Sequence, residues 1–259
     1  MTIKDHIKNI PVLGTVARKV YSRCRGACLL DPSHWIPLIL PEHEGFVVQI
    51  GSNDGKAGDP LHNWLKRSKG WSAIFVEPVP FLFNRLKDTY TGEQRFSFEN
   101  SVINDGSQIT FYWVSEDAKS ALPDLPYWHD QLGGFDRDHI TNHLPELEQY
   151  IESENLLGMT LDSLFAQHRL EHFDLLHIDT EGADFQILRQ LDLEVFRPRV
   201  ILFERKHLSQ DEEESSTRFL QNHYALFNLG ADILAVKKED NKAMWSTLKP
   251  LRGVRVPDL

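Results

Sequence analysis

From Gly45 onward the chain alternates short apolar runs with stretches whose apolar residues recur at helical spacing. Phe46–Ile50 predicts a strand. Asp59-Pro60 predicts an N-cap followed by proline at the first position of a helix through Leu61–Arg67. Ser72–Val76 predicts a second strand and Phe81–Thr89 a second helix, and Phe96–Val102 and Ile109–Val114 follow as strands. Leu161–His168 predicts a helix capped by Thr160, Asp174–Ile178 a strand and Asp184–Leu191 a helix. Val200–Phe203 closes as a strand, Glu212–Asn222 as a polar helix, and Tyr224–Asn228 with Asp232–Lys237 as a terminal hairpin about Gly230. Strands alternating with helices indicate a doubly wound α/β architecture, a mostly parallel sheet covered on both faces.

Residues 115–158 break the rhythm. They carry Pro123, Pro126 and Gly133-Gly134, with Tyr127, Trp128, Phe135, His129, His139 and His143 between them. The reading is one domain over 45–240 with an inserted cap at 115–158. A basic helical extension over 1–44 precedes it, and a tail over 241–259 follows. The cap is the expected acceptor lid, because its aromatics can stack on sugar faces or fill an apolar pocket. They can equally form the cap's own small core.

Composition narrows the partners. A net charge of −10 over 259 residues disfavours nucleic acid, whose phosphates need a basic surface. Residues 1–30 run the other way, with Lys4, Lys8, Arg18, Lys19, Arg23 and Arg25 against Asp5 alone. This basic start reads as a solvated helix at the domain edge, with peripheral contact to an anionic membrane as the alternative. No apolar run approaches the roughly 18 residues of a membrane span. Pro11, Gly14 and Thr15 interrupt Ile10–Val16, a poor signal-peptide core, so a cytoplasmic location is expected. Cys24 and Cys28 are the only cysteines, too few for a disulfide framework, and are expected to be reduced.

In open α/β sheets, ligands bind outside the carboxyl ends of the strands. Here those ends carry polar residues that a core does not need: Gly51-Ser52-Asn53-Asp54-Gly55, Glu77-Pro78, Asp179-Thr180-Glu181-Gly182 and Glu204-Arg205-Lys206-His207. A glycine-rich first turn followed, 26 residues past Gly51, by the acid Glu77 suits a nucleoside whose ribose hydroxyls meet a carboxylate. The dinucleotide pattern Gly-x-Gly-x-x-Gly is absent, because Asn53 holds its second glycine position. The phosphate loop fails too, because Ala57 follows Lys56. A nucleoside without phosphates is therefore expected, with S-adenosylmethionine as the candidate.

The stretches VVQIGSNDG, IFVEPVPFLFNRL, FENSVINDG, TLDSL, LLHIDTEGADFQIL and VILFERKH, in that order, resemble the FkbM family of S-adenosylmethionine-dependent methyltransferases. The resemblance implies a Rossmann-like methyltransferase sheet of about seven strands with the last one antiparallel, supplied by the hairpin about Gly230. It implies that Gly51, Asn53 and Gly55, with Gln49 and Ser52, form the methionine-binding turn. Glu77 with Pro78 would hold the ribose, and Asn100, Ser101 and Val102 would lie along the adenine. The family's usual acid is replaced here by Gln49, so the contact to the cofactor's amino group is expected to be weaker or to move to Asp54.

Methyl transfer to a hydroxyl needs a positioned nucleophile and a base. Asp179, Glu181, Glu204 and His207 are the candidates, and the acceptor class is a sugar, glycan or other small molecule. Asp179, Glu181 and Glu204 could also hold a divalent cation, but their spacing is no metal signature and no metal is assigned. His139 and His143 stand four apart without a third ligand near them in sequence, and are placed on a cap helix. The rival readings are a nicotinamide-dependent oxidoreductase and a non-catalytic nucleoside-binding protein.

Overall fold

The computed structural model describes residues 29–238 and 242–259, so the basic segment's cationic residues, Cys24 and Cys28 lie outside the described residues. Helix α1 (Pro32–Ile39) leads into β1 (Glu44–Ile50), α2 (His62–Arg67), β2 (Gly70–Val76), α3 (Pro80–Thr89) and β3 (Phe96–Glu99). Strand β4 (Gln108–Val114), helices α4 (Ala118–Ala121) and α5 (Arg137–His143), and strand β5 (Ile151–Leu157) form the insert. The chain continues through α6 (Leu161–Gln167), β6 (Leu175–Ile178), α7 (Asp184–Leu188) and β7 (Val200–Glu204). It ends in α8 (Gln210–Leu220), β8 (Tyr224–Asn228), β9 (Asp232–Lys237) and α9 (Lys242–Thr247).

Seven strands form one sheet in the order β3-β2-β1-β6-β7-β9-β8. The pairs among β3, β2, β1, β6 and β7 are parallel, and β9 runs antiparallel to both β7 and β8. This is the doubly wound sheet expected from the sequence, with its last strand reversed.

Alternate strand residues serve opposite faces, which is why the runs are apolar without a polar partner position. Val47, Ala73, Phe75, Val200 and Leu202 pack into one core with Trp35, Ile36 and Trp71. Val48, Ile74, Val76, Ile201 and Phe203 pack into the other with Leu164, Phe165 and Ile187. Each Val, Leu, Ile or Phe among these taken fully out of water contributes about 1.5–3 kcal/mol, and this fixes the strand register. Helix α1 belongs to the first of these cores, although it falls within the extension drawn over 1–44.

The caps behave unevenly. Thr160 accepts from Ser163 N–H at the start of α6 as expected, and Ser209 with Glu212 closes a capping box on α8. Asp59 does not cap α2: its Oδ1 accepts from Leu61 N–H, and the helix starts one residue later. Strand β3 stops at Glu99 rather than Val102. Residues 100–102 leave the sheet, with Asn100 Nδ2 donating to the Glu77 and Pro78 carbonyls.

The stretch Ile109–Val114 forms a strand but does not join the main sheet. Strand β4 pairs antiparallel with β5 as a separate two-stranded ribbon, and β5, with four consecutive polar residues, lies inside the stretch read as irregular. The insert has its own small core of Val114, Ala118, Leu125, Leu132, Ile140 and Leu147, against which Trp128 packs. A second cluster, Val79, Leu82, Val102, Phe111 and Trp113, joins the ribbon to the strand ends. Among the described residues no helix is long and apolar enough to cross a membrane.

Candidate functional site

A cavity of about 240 Å³ opens at the carboxyl ends of β1, β2, β6 and β7. Its walls bring together Gln49, Gly51, Ser52, Asn53, Glu77, Pro78, Ser101, Val102, Asp179, Glu181 and Glu204. The insert closes one side with Phe111, Gln131, Gly133 and Phe135.

The first turn is shaped by close packing. Gly51 has φ +77°, and a Cβ there would lie 1.7 Å from the Asp179 carbonyl oxygen. Its N–H and that of Ser52 both donate to Val76 O. Glycine is thus required because the ends of β1 and β6 nearly touch. Gly55, also at positive φ, does not line the cavity. Its Cβ would meet Leu86 and Tyr90, and its carbonyl accepts from the Tyr90 hydroxyl. Asp54 is likewise turned into its own loop, its Oδ1 accepting from Lys56 and Ala57 N–H. Asn100, exposed, braces the Glu77-Pro78 backbone instead of facing the cavity.

Glu77 is 4 % exposed. Its Oε2 accepts from Asn53 N–H at 2.7 Å and its Oε1 from Val79 N–H at 2.9 Å, so both oxygens are held in place at the cavity wall. Burial pushes this carboxyl up to about 7, against the pull of the two backbone donors.

Two acceptor oxygens nearby are buried without partners, Oε1 of Gln49 and Oδ2 of Asp59. Gln49 lies beside the Asp59 carboxyl, which burial raises to about 6. Sequence reading missed Asp59, because an acid before proline at a helix start reads as a cap. His177 on β6 is also buried at this wall, and desolvation lowers its imidazole to about 4, which keeps it neutral.

The loop after β6 is organised by Asp184, fully buried at the start of α7 and likewise unread in the sequence. Its Oδ2 accepts from Thr180 N–H and Oγ1–H and from Gly182 N–H, and its Oδ1 accepts from Glu204 N–H. This ties the loop to the end of β7 and holds Glu181 at φ +53°, a left-handed conformation costly for a residue with a side chain. Asp179 is open to the cavity and crowded by protein on its other sides. That desolvation, with the charges of Asp184 and Glu181, raises its carboxyl well above the usual range. Burial, then Asp179 and Glu181, push Glu204 up to about 9. Burial works upward on Glu181 as well, yet the hydrogen bond from His139 and the His207 imidazole beside it hold the carboxyl at about 2.

His207 does not line the cavity. Its Nε2 lies behind the acids, 3.1 Å from Glu181 Oε2 and 3.8 Å from Glu204 Oε1. The insert folds back so that His139 Nε2 lies 3.2 Å from the same Glu181 oxygen. His139, His143 and His207 therefore meet, and the third imidazole that the pair lacks in sequence arrives from 64 residues further along. Of the insert's aromatics, Phe135 reaches the cavity, Trp128 serves the insert core and Tyr127 is 76 % exposed.

No curated protein sequence matches the chain. Among solved structures, the fibrillarin pre-rRNA processing protein of Methanococcus jannaschii is 8 % identical with a TM-score of 0.42, covering 78 % of this chain and 69 % of that one. The human methyltransferase 10 domain containing protein is 13 % identical with a TM-score of 0.40, covering 81 % of each chain. An S-adenosylmethionine-dependent O-methyltransferase of Thermotoga maritima is 9 % identical with a TM-score of 0.38, covering 81 % of this chain and 66 % of that one. Likenesses this distant bear on neither substrate nor mechanism. The sequence itself is decisive: the model of the methyltransferase FkbM domain matches residues 49–248, most of the chain, and the protein belongs to that family.

Proposed function

We propose that this methyltransferase takes its methyl group from S-adenosylmethionine and delivers it to a hydroxyl of a sugar, glycan or other small molecule. The observation that carries the reading is Glu77. It is a buried carboxyl fixed by two backbone donors at the wall shared by the Gly51–Asn53 turn and the strand-end acids. Such a group suits a ribose diol, whose two hydroxyls donate to one carboxylate.

The remaining wall fits the rest of this cofactor. Gln49 Oε1 and Asp59 Oδ2 are buried acceptors without donors, and an ammonium group supplies donors and positive charge to both. The acid missing from position 49 is thereby replaced by Asp59, not by Asp54. Val102, Ile103 and Leu82 offer an apolar surface to a flat base. When bound, the cofactor supplies an electrophilic methyl on a sulfonium. The chain supplies orientation and a place for the acceptor's proton. Asp179, facing the cavity, is assigned as the base, with Glu204 beside it. Glu181 is assigned to the acceptor's approach, and His207 acts through it as a positioning residue. The insert, with Phe111, Gln131 and Phe135 at the cavity, is assigned as the acceptor lid.

Calorimetric titration with S-adenosylhomocysteine and with NAD, followed by a panel of sugars and lipid-linked glycans with labelled cofactor, tests the reading. Binding of NAD in preference to S-adenosylhomocysteine would overturn it.

Glu77→Ala should weaken S-adenosylhomocysteine binding by about 1.5–3 kcal/mol, the range for a charge-assisted hydrogen bond. Circular dichroism establishes that the variant is folded. Unchanged affinity would remove Glu77 from the site.

Asp59→Asn should separate binding from stability. The folded-state value of Asp59, about 6, lies above its usual 3.8, so folding takes up a proton. The stability this contributes is fully present below about pH 4 and lost as pH rises through 6. The neutral asparagine escapes that loss. Above pH 7 the ligand-free variant should be more stable than wild type by up to about 3 kcal/mol, with no difference below pH 4. Its affinity for S-adenosylhomocysteine should fall over the same range. Urea unfolding at pH 4 and pH 8 measures the first effect. Equal stability at pH 8 would show that the Asp59 carboxyl is not desolvated.

A further inference from the structure

We propose that His139, His143, His207 and Glu181 bind one divalent first-row metal ion of the zinc class where the insert meets the carboxyl end of the sheet. The three imidazoles have ligand nitrogens within 4.8 Å of one another. Their rings stand 4.5, 4.8 and 5.4 Å apart in pairs. His139 and His143 are one turn apart on α5, so both project from the same helix face. Glu181 places Oε2 between two of the imidazoles, 3.2 Å from His139 Nε2 and 3.1 Å from His207 Nε2. Two ligands about 2.0–2.1 Å from a tetrahedral ion are about 3.3 Å from each other, so these two separations are already those of a coordination edge.

Hydrogen bonding accounts for only one contact between the proposed ligand side chains, His139 Nε2 to Glu181 Oε2. His207 Nε2 is buried and makes no hydrogen bond, even though a carboxylate oxygen lies 3.1 Å away, because the direction is wrong. Glu204 Oε2, in the same cluster, is also buried without a partner. His143 points the same way. Its Nδ1 is 2.9 Å from the His139 carbonyl, which can only accept, so Nδ1 donates there and Nε2 is the nitrogen left to ligate. A ligating histidine is commonly oriented by such a bond from its other nitrogen. Glu181 is held in its left-handed conformation by the loop around Asp184, which keeps the carboxylate aimed at the imidazoles.

Three imidazoles with one carboxylate favour zinc, cobalt, nickel or iron over magnesium or calcium, which prefer all-oxygen sites. Binding latches the insert to the loops after β6 and β7. Because Glu181 also lines the cavity, the ion would stand where an acceptor hydroxyl approaches and would lower its pKa. This use of the ion, unlike the site itself, rests on the methyl-transfer reading.

The test is titration of the chelator-treated full-length chain with Co²⁺, then Zn²⁺, with S-adenosylhomocysteine binding measured in parallel. One equivalent of Co²⁺ should give the visible absorption of a four- or five-coordinate ion, displaced by equimolar Zn²⁺ but not by excess Mg²⁺. His139→Ala, His143→Ala and the gentler His143→Gln should each weaken uptake by about 100-fold or more, as loss of a ligand should exceed loss of an outer-shell partner. Exposed His172, outside the cluster, should be replaceable by alanine without effect. Retained S-adenosylhomocysteine affinity shows that a variant is folded. Absence of saturable Co²⁺ uptake, displacement by Mg²⁺, or undiminished uptake in folded His139→Ala and His143→Gln would each overturn the site. Metal uptake without S-adenosylhomocysteine binding would leave the site standing and sink the methyl-transfer reading instead.

Discussion

Asparagine in place of Asp179 is expected to lower methyl turnover about 10²- to 10⁴-fold while S-adenosylhomocysteine binds within a few-fold of wild type. The exchange keeps the side chain's shape and removes its capacity to hold the acceptor's proton. It also leaves the local backbone intact, since the anchoring bond runs from Asp179 N–H to Ile50 O. Asp179 is suited to the role because it is open to the cavity, with Glu204 and Glu181 on the same wall. Turnover and binding must be measured separately, because a residue serving the cofactor loses both together. Equal losses in affinity and turnover would move Asp179 to cofactor binding. Full activity would move the acceptor site under the insert, toward Phe111 and Phe135.

Gly51→Ala is the second large effect, and it reaches the fold as well as the site. The added Cβ would stand 1.7 Å from the Asp179 carbonyl oxygen, a contact only backbone movement can relieve. The same residue would have to hold φ +77° with a side chain. Overpacking and left-handed strain each cost about 1–3 kcal/mol, so a loss of about 3 kcal/mol or more is expected. Because the displaced carbonyl belongs to Asp179, S-adenosylhomocysteine affinity should collapse with it, and Gly51→Val should be worse. Thermal unfolding and calorimetry on the one variant check both halves. Wild-type melting with normal binding would show that the two strand ends do not approach as closely as described.

The sequence by itself determined the layering and the order of strands and helices. Runs such as Phe46–Ile50 and Val200–Phe203 are apolar on consecutive residues, and only a strand covered on both faces needs that. Gly51 and Glu77 were legible because each departs from what a strand end requires in a core. Chemistry that rests on contacts between distant segments was not legible. Ile109–Val114 has the composition of a sheet strand, yet its partner, Ile151–Leu157, carries Glu152, Ser153, Glu154 and Asn155, and the ribbon they form stands outside the main sheet. Gly55 and Asn100 satisfy neighbouring packing and backbone groups, a use indistinguishable in sequence from cavity lining. Asp59 carries the signature of a helix cap, and only its burial beside Gln49 shows an acceptor waiting for a donor. His139 and His143 are a bare pair along the chain. Tertiary folding alone sets them against His207 and Glu181, because the insert's own core turns α5 back over the strand ends, and no local pattern encodes that return.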